Sequence, residues 1–291
     1  MPDTLPFRRI AILGTGLIGG SFGLAVRKNF LGVTVVGFDQ PEAAKKALAR
    51  GAVSGIVADL STAVRGADLI YIALPIAATI EAFAEIAAAA APHALVTDAC
   101  STKAVVCRAA TDHFKAGAYF LGGHPMAGKE HSGIEYAEAD LFHQAPYSLI
   151  VPRAGAANDP RIRAFGELVC AIGARPVWTD AETHDWAVGI VSHLPQMLAV
   201  ALARLVQDET DETGLPLSLA GQGLQDTLRL AGSPYGVWRD ILLTNTENIS
   251  RALDRLGQAV DYLRTQLSSK EIEQEFRAAN EVYKLLHQPK T

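Results

Sequence analysis

His124 stands in the stretch GGHPMAG (122–128), led by two glycines and followed by a proline. Pro125 restricts the histidine to an extended conformation, and the glycines let backbone and ring approach a ligand closely. A fixed imidazole of roughly neutral pKa can take a hydroxyl proton while hydride leaves the same carbon. That is the work of a dehydrogenase base; packing or capping is the alternative this residue alone leaves open. Ser101 and Lys103 lie just upstream in TDACSTK (97–103). The serine can hydrogen-bond the same substrate oxygen, or cap a helix. The lysine can hold a carboxylate or a ribose, or face solvent. Glu130, Ser132 and Gly133 continue the loop beyond His124, where a lid would sit.

Further along, His193 and Gln196 fall three apart in SHLPQ, on an otherwise apolar helix that Pro195 should bend. Two polar side chains on that face need partners if buried. Arg229, in DTLRLAGSP, precedes a turn, and an arginine at a cleft suits bidentate carboxylate binding. Arg239, beside Asp240, reads instead as half of an ion pair. No combination of His, Cys, Asp and Glu has metal-ligand spacing, so no metal is expected.

The nucleotide motif is GTGLIGGS (14–21). Gly14, Gly16 and Gly19 fill G-x-G-x-x-G, giving a tight turn, close backbone approach to a pyrophosphate, and close helix–sheet packing. Leu17 and Ile18 open the helix whose free N–H groups face the phosphates. Asp39 ends the next strand, 20 residues beyond Gly19. A carboxylate there accepts from the ribose hydroxyls and repels a 2′-phosphate, which favours NAD over NADP. Pro75 ends a further strand on the cofactor side, and Ser101 reaches the same crevice.

These residues need a frame. β-rich runs at 9–14, 33–38, 68–74, 94–98, 118–122, 147–151 and 175–179 alternate with helical patterns near 17–29, 41–50, 61–66, 76–91, 102–115 and 159–173. Apolar strands separated by helices predict an α/β fold of Rossmann type, a doubly wound, mostly parallel sheet over residues 1–180. From 181 to 291 only helical patterns remain, at 181–207, 216–231 and 237–267. The last would be a rod of about 45 Å. One apolar stripe of that length predicts an all-helical substrate and dimerisation domain, with a monomeric helical cap as the alternative.

Composition bounds the partners. Of 291 residues, 49% are apolar and 20% charged, with a net charge of −5, so no nucleic acid or polybasic membrane contact is expected. Three cysteines fit reduced thiols in a reducing, cytoplasmic setting. Five glycines in the apolar run 10–26 make a poor leader, and the Ala-rich stretch 76–91 carries Glu81 and Glu85, so neither a leader nor a membrane span is expected. The last predicted helix lies close to residue 291, so an amino-acid-sensing domain is not expected.

Taken together, GTGLIGGS, TDACSTK, GGHPMAGKEHSG, SHLPQ and DTLRLAGSPYGVWRDI resemble the prephenate/arogenate (cyclohexadienyl) dehydrogenases of tyrosine biosynthesis, in order and through nearly the whole chain. The resemblance implies a homodimer with its site between the two domains and a small-molecule substrate. It implies that His124 meets the ring C4 hydroxyl with Ser101 as partner, that Arg229 grips a carboxylate, and that His193 lines the site. Many prephenate-using members have a second histidine where this chain has Gln196, so prephenate, arogenate or both remain open. A 3-hydroxyacid dehydrogenase or imine reductase would share the fold. The lysine-dependent version of those enzymes fits poorly, because residues 181–269 contain no lysine. A non-catalytic NAD-sensing dimer would leave His124, Ser101 and Arg229 without a task.

Overall fold

The computed structural model describes residues 6–115, 117–151, 159–210 and 212–287, so the outer ends of the two expected domains, at 1 and 291, lie outside the described residues. The first half runs β1 (Arg9–Leu13), α1 (Leu17–Asn29), β2 (Thr34–Phe38), α2 (Pro41–Ala49), β3 (Gly55–Ile56), α3 (Leu60–Val64), β4 (Leu69–Ile72) and α4 (Ile76–Ala89). It continues with β5 (Leu95–Asp98), α5 (Ala104–His113), β6 (Tyr119–Pro125), β7 (Pro146–Ile150), α6 (Pro160–Ala171) and β8 (Arg175–Thr179).

These strands form one sheet in the order β3-β2-β1-β4-β5-β6-β7-β8, parallel at every pairing except β6 with β7. Alternation along β1 explains why both faces are covered. Ile10 and Ile12 pack into one buried cluster with Phe22, while Ala11 and Leu13 join another with Phe83. The strand order reverses at β1, so a crevice opens between the ends of β1 and β4.

The strand carrying His124 is longer than the expected 118–122. It runs to Pro125 because Gly122, Gly123, His124 and Pro125 pair antiparallel with Ile150, Leu149, Ser148 and Tyr147. The histidine is therefore part of the sheet rather than of a loop beyond it. Gly123 is required there: a Cβ would collide with the carbonyl oxygen of Asp98.

The second half contains α7 (Ala181–Val188), α8 (Leu194–Glu209), α9 (Leu215–Ser218), α10 (Gln222–Leu228), α11 (Tyr235–Thr244), α12 (Thr246–Gln266) and α13 (Ile272–His287). A π-turn over Gly189–His193 joins α7 to α8 and absorbs Pro195, whose missing N–H the wide turn accommodates. The expected helix at 216–231 is instead α9, α10 and a 3-10 turn at Arg229–Gly232, interrupted at Gly221.

The 45 Å rod is also corrected, because it breaks between α11 and α12 at Asn245. That side chain is buried and donates to the carbonyl of Asp185 at 2.8 Å, so a tertiary contact outweighs helix continuity. α13 has no counterpart in the sequence reading.

The two halves meet where α11 reaches the sheet. Ile241 joins the core cluster of Leu13 and Phe83, and the N–H of Ala77 in the first turn of α4 donates to Asp240 Oδ2 at 3.1 Å. The helical run Ala181–Glu209 is long and apolar enough to cross a membrane by length and composition, and only 28% of its apolar window is buried within this chain.

Candidate active site

At the crevice, the glycine loop behaves as its spacing predicts. Gly14 holds φ +90, and a Cβ there would strike the Ala73 carbonyl. A Cβ on Gly19 would strike the Gly14 carbonyl, so that glycine is what lets α1 approach the sheet. A Cβ on Gly16, by contrast, would meet nothing within 4 Å.

The N-terminus of α1, opened by Leu17 and Ile18, has no side-chain cap and no acidic residue in its first turn. Open space above uncapped N–H groups fits a pyrophosphate. Asp39 Oδ2 accepts from Thr15 N at 2.6 Å and from Thr15 Oγ1 at 3.1 Å, while its Oδ1 accepts from Gln40 N at 2.7 Å. Its carboxylate is thus locked to the glycine loop and lines a cavity of about 480 Å³ with Pro41, Ile56 and Val57, which fits an adenosine. Pro75 lies exposed at the start of α4, across the crevice from Gly14. The residues present fit a dinucleotide.

A second cleft, of about 400 Å³, is lined from both halves of the molecule. Ser101 and His124 come from the sheet side, and His193, Gln196 and Arg229 from the helices, so five of the residues singled out in the sequence share one space.

Lys103 does not join them. It is fully buried, its ammonium ion-pairs with Asp98, and it donates to the Gly123 carbonyl at 2.7 Å. Neither a substrate carboxylate nor a ribose can claim a cation already spent in this way, which corrects the sequence expectation. Asp98 Oδ1 also accepts from Gly123 N at 3.0 Å. The Asp98–Lys103 pair therefore clamps the residue immediately before His124.

Burial shapes the imidazole chemistry. His124 is 8% exposed, and loss of hydration, followed by the neighbouring His184, Lys103 and His193, holds its pKa well below the usual 6.5. The expected near-neutral value is corrected by that desolvation: the ring stays an uncharged proton acceptor at pH 7. His193 is pushed down to about 4, chiefly by burial, with its Nδ1 3.1 Å from Asn245 Nδ2 and its ring edge-on to Trp238. Gln196 is buried with Oε1 lacking a partner.

Arg229 remains at the solvent edge, ion-paired with Glu130, whose carboxyl is held low first by its own backbone N–H and then by Arg229. Arg239 pairs with Asp240 at 2.9 Å, as its neighbour in sequence predicts. Among the described residues no group of three or more His, Cys, Asp or Glu side chains could hold a metal.

Two residues the sequence reading missed are His184 and Asp185. His184 Nε2 lies 2.9 Å from His124 Nδ1, and His184 Nδ1 lies 2.8 Å from Asp185 Oδ1. Asp185 also accepts from the backbone N–H groups of Lys103 and Ala104, at 2.7 and 2.8 Å. A signal existed: DAETHDW places His-Asp in the first turns of a helix capped by Asp180, where a buried polar pair needs a reason.

Comparison with known proteins agrees with this layout. A family model described as prephenate dehydrogenase, nucleotide-binding domain, matches residues 22–177, and one described as prephenate dehydrogenase, dimerization domain, matches 180–281. A prephenate dehydrogenase of Bacillus subtilis is 32% identical over 271 residues, which are 92% of this chain and 72% of that protein.

Among solved structures, a prephenate dehydrogenase from A. aeolicus in complex with hydroxyphenyl propionate and NAD+ superposes with a TM-score of 0.89. It is 24% identical and covers 97% of this chain and 99% of its own. An arogenate dehydrogenase from Synechocystis superposes at 0.80, with 27% identity over 96% and 99%.

Proposed function

The chain belongs to the prephenate dehydrogenase family, and from that premise we propose that it is an NAD-dependent enzyme that oxidatively decarboxylates prephenate, arogenate or both, in tyrosine biosynthesis. The observation that carries the reading is a buried, uncharged imidazole, His124, in one cleft with a guanidinium, Arg229, beside a dinucleotide crevice. The products are 4-hydroxyphenylpyruvate from prephenate and tyrosine from arogenate.

Bound NAD supplies the hydride acceptor; Asp39 favours it over NADP. His124 takes the proton of the C4 hydroxyl, and Ser101 hydrogen-bonds the same oxygen. As the C4 hydrogen leaves with its electron pair, the ring becomes an electron sink for the C1 carboxylate. The C1–carboxyl bond breaks, CO2 departs and the ring becomes aromatic. Aromatisation drives the reaction, so the residues need only position, deprotonate and bind anions. Arg229, exposed and held by Glu130, can exchange that carboxylate for one on the substrate. His193 and Gln196 line the far wall.

We assign 1–180 to the dinucleotide half and 181–291 to the substrate and dimerisation half, a division supported by family matches at 22–177 and 180–281. A homodimer through the C-terminal helices is supported by exposed apolar side chains such as Leu198, Leu205, Leu263, Phe276 and Tyr283. The apolar run 181–209 turns His193 and Gln196 toward the cleft, and a second copy rather than a membrane accounts for the rest. Sedimentation at about twice the 30.9 kDa chain mass is expected, and a monomer would refute the dimer. A small-molecule, NAD-linked biosynthetic reaction fits the cytoplasm.

The test is NADH formation with prephenate and arogenate in parallel, with a 3-hydroxy acid alongside. Turnover of at least one cyclohexadienyl substrate is expected, with preference between the two reporting on Gln196. Turnover of the 3-hydroxy acid alone would refute the assignment.

A further inference from the structure

Beyond the groups that touch the cleft, the buried chain His124–His184–Asp185 has a direction that its hydrogen bonds determine. Asp185 Oδ1 accepts from Lys103 N at 2.7 Å and Oδ2 from Ala104 N at 2.8 Å, so the carboxylate is an acceptor at both oxygens. His184 Nδ1, 2.8 Å from Oδ1, must therefore be the donor. A histidine that carries one ring proton and gives it to Asp185 has only a lone pair at Nε2. In an uncharged His184 that lone pair, 2.9 Å from His124 Nδ1, places the proton of His124 on Nδ1 and leaves Nε2 bare.

We propose that His184 is a positioning residue that, backed by Asp185, sets the tautomer and ring orientation of His124 so that Nε2 is the nitrogen that meets the substrate hydroxyl. The proposal deepens the assignment of His124 as base and rests on it. When Nε2 accepts the proton, His124 becomes an imidazolium whose Nδ1–H already points at an acceptor, and the positive charge is stabilised along the chain without a second proton moving.

The geometry is held from all sides. His184 and Asp185 are 3% and 2% exposed, and their rigidity follows from α7 being capped by Asp180, which accepts from Thr183 N at 2.8 Å. Asn245 Nδ2 donates to the Asp185 carbonyl at 2.8 Å, fastening α7 to the break between α11 and α12. The rings of His124 and His184 meet edge to face, with centroids 5.1 Å apart. Asp185 keeps two backbone donors without His184, so the contact that only His184 adds is the one to His124 Nδ1.

The experiment combines spectroscopy on the intact enzyme with kinetics of two variants. In 15N NMR of histidine-labelled protein, with His124→Asn to assign the resonance, His124 should carry its proton on Nδ1. A proton on Nε2 would overturn the proposal, and this reading does not depend on any His184 variant folding. With prephenate or arogenate, whichever turns over, His184→Phe should lower kcat by about 10- to 100-fold while KM stays within about twofold. His184→Gln, whose Oε1 can sit where Nε2 does and accept the same proton, should recover most of that loss.

Equal loss in both variants, or loss in neither, would overturn the positioning role of His184. If His124→Asn is inactive while His184→Phe turns over normally, the positioning role of His184 fails and the base stands. If His124→Asn itself keeps wild-type kcat, the assignment of the base fails.

Discussion

Lys103 Nζ donates to the carbonyl oxygen of Gly123 at 2.7 Å, one residue before His124, while ion-paired to Asp98 at the end of β5. A lysine in this place supports the site from behind. Removing its charge strands a buried carboxylate, so Lys103→Met should cost about 3–5 kcal/mol of stability, read from urea unfolding. A solvent-facing substrate lysine would cost less than about 0.5 kcal/mol and raise KM instead, which is the contrary result.

The pH response follows from the buried histidines. A protonated His124 has no lone pair for the substrate, and its pKa lies well below 6.5 because the ring is desolvated. The His124-dependent acid limb of kcat/KM should therefore fall well below pH 6.5 and be absent between pH 8 and 6.5. A limb centred at the free-histidine value, and tied to His124, would contradict the burial argument.

Stability should depend on pH through His193 in a definite direction. Its folded value is about 4, below the value of about 6.5 in an unfolded chain, so the unfolded state binds more protons between those limits. The contribution is fully present above pH 6.5 and declines toward pH 4, with roughly 2 kcal/mol gone by pH 5. Urea midpoints of wild type and His193→Asn at pH 7 and 5 check this. The variant should lose less than wild type on acidification, and an equal loss would refute it.

At the proposed cofactor end, Asp39 lines a cavity that fits an adenosine and holds the loop through Thr15. Asp39→Ser should weaken NAD binding by about 10-fold or more, the worth of a charge-assisted hydrogen bond, and narrow the preference over NADP. Calorimetric titration with both dinucleotides measures it. Unchanged selectivity would remove Asp39 from the discrimination.

What was legible in the sequence follows from which forces are local. β1, β2, β4 and β5 are covered on both faces, so they read as unbroken apolar runs, and the glycine loop carries its own geometry. Motif and position single out His124, Ser101, His193, Gln196 and Arg229, and the fold brings all five to the wall of one cleft.

The rest depended on distant partners. β6 reaches Pro125 only because β7 pairs with it from more than twenty residues away. Helix continuity at Asn245 is lost to a bond with Asp185, sixty residues earlier. Lys103 looked exposed because its counter-ion lies across a turn, outside any helical or strand period. His184 and Asp185 were adjacent in plain sight, yet their meaning needed the 2.9 Å contact with His124.

Whether His124 accepts the proton as hydride leaves is read from a single turnover. Wild-type enzyme and His124→Asn, each saturated with NAD and mixed with the accepted cyclohexadienyl substrate, are followed by NADH absorbance. The rate should fall by about 10²- to 10⁴-fold in the variant, with the dissociation constant for NAD within about twofold of wild type. A variant that forms NADH at the wild-type rate would show that His124 is not the base.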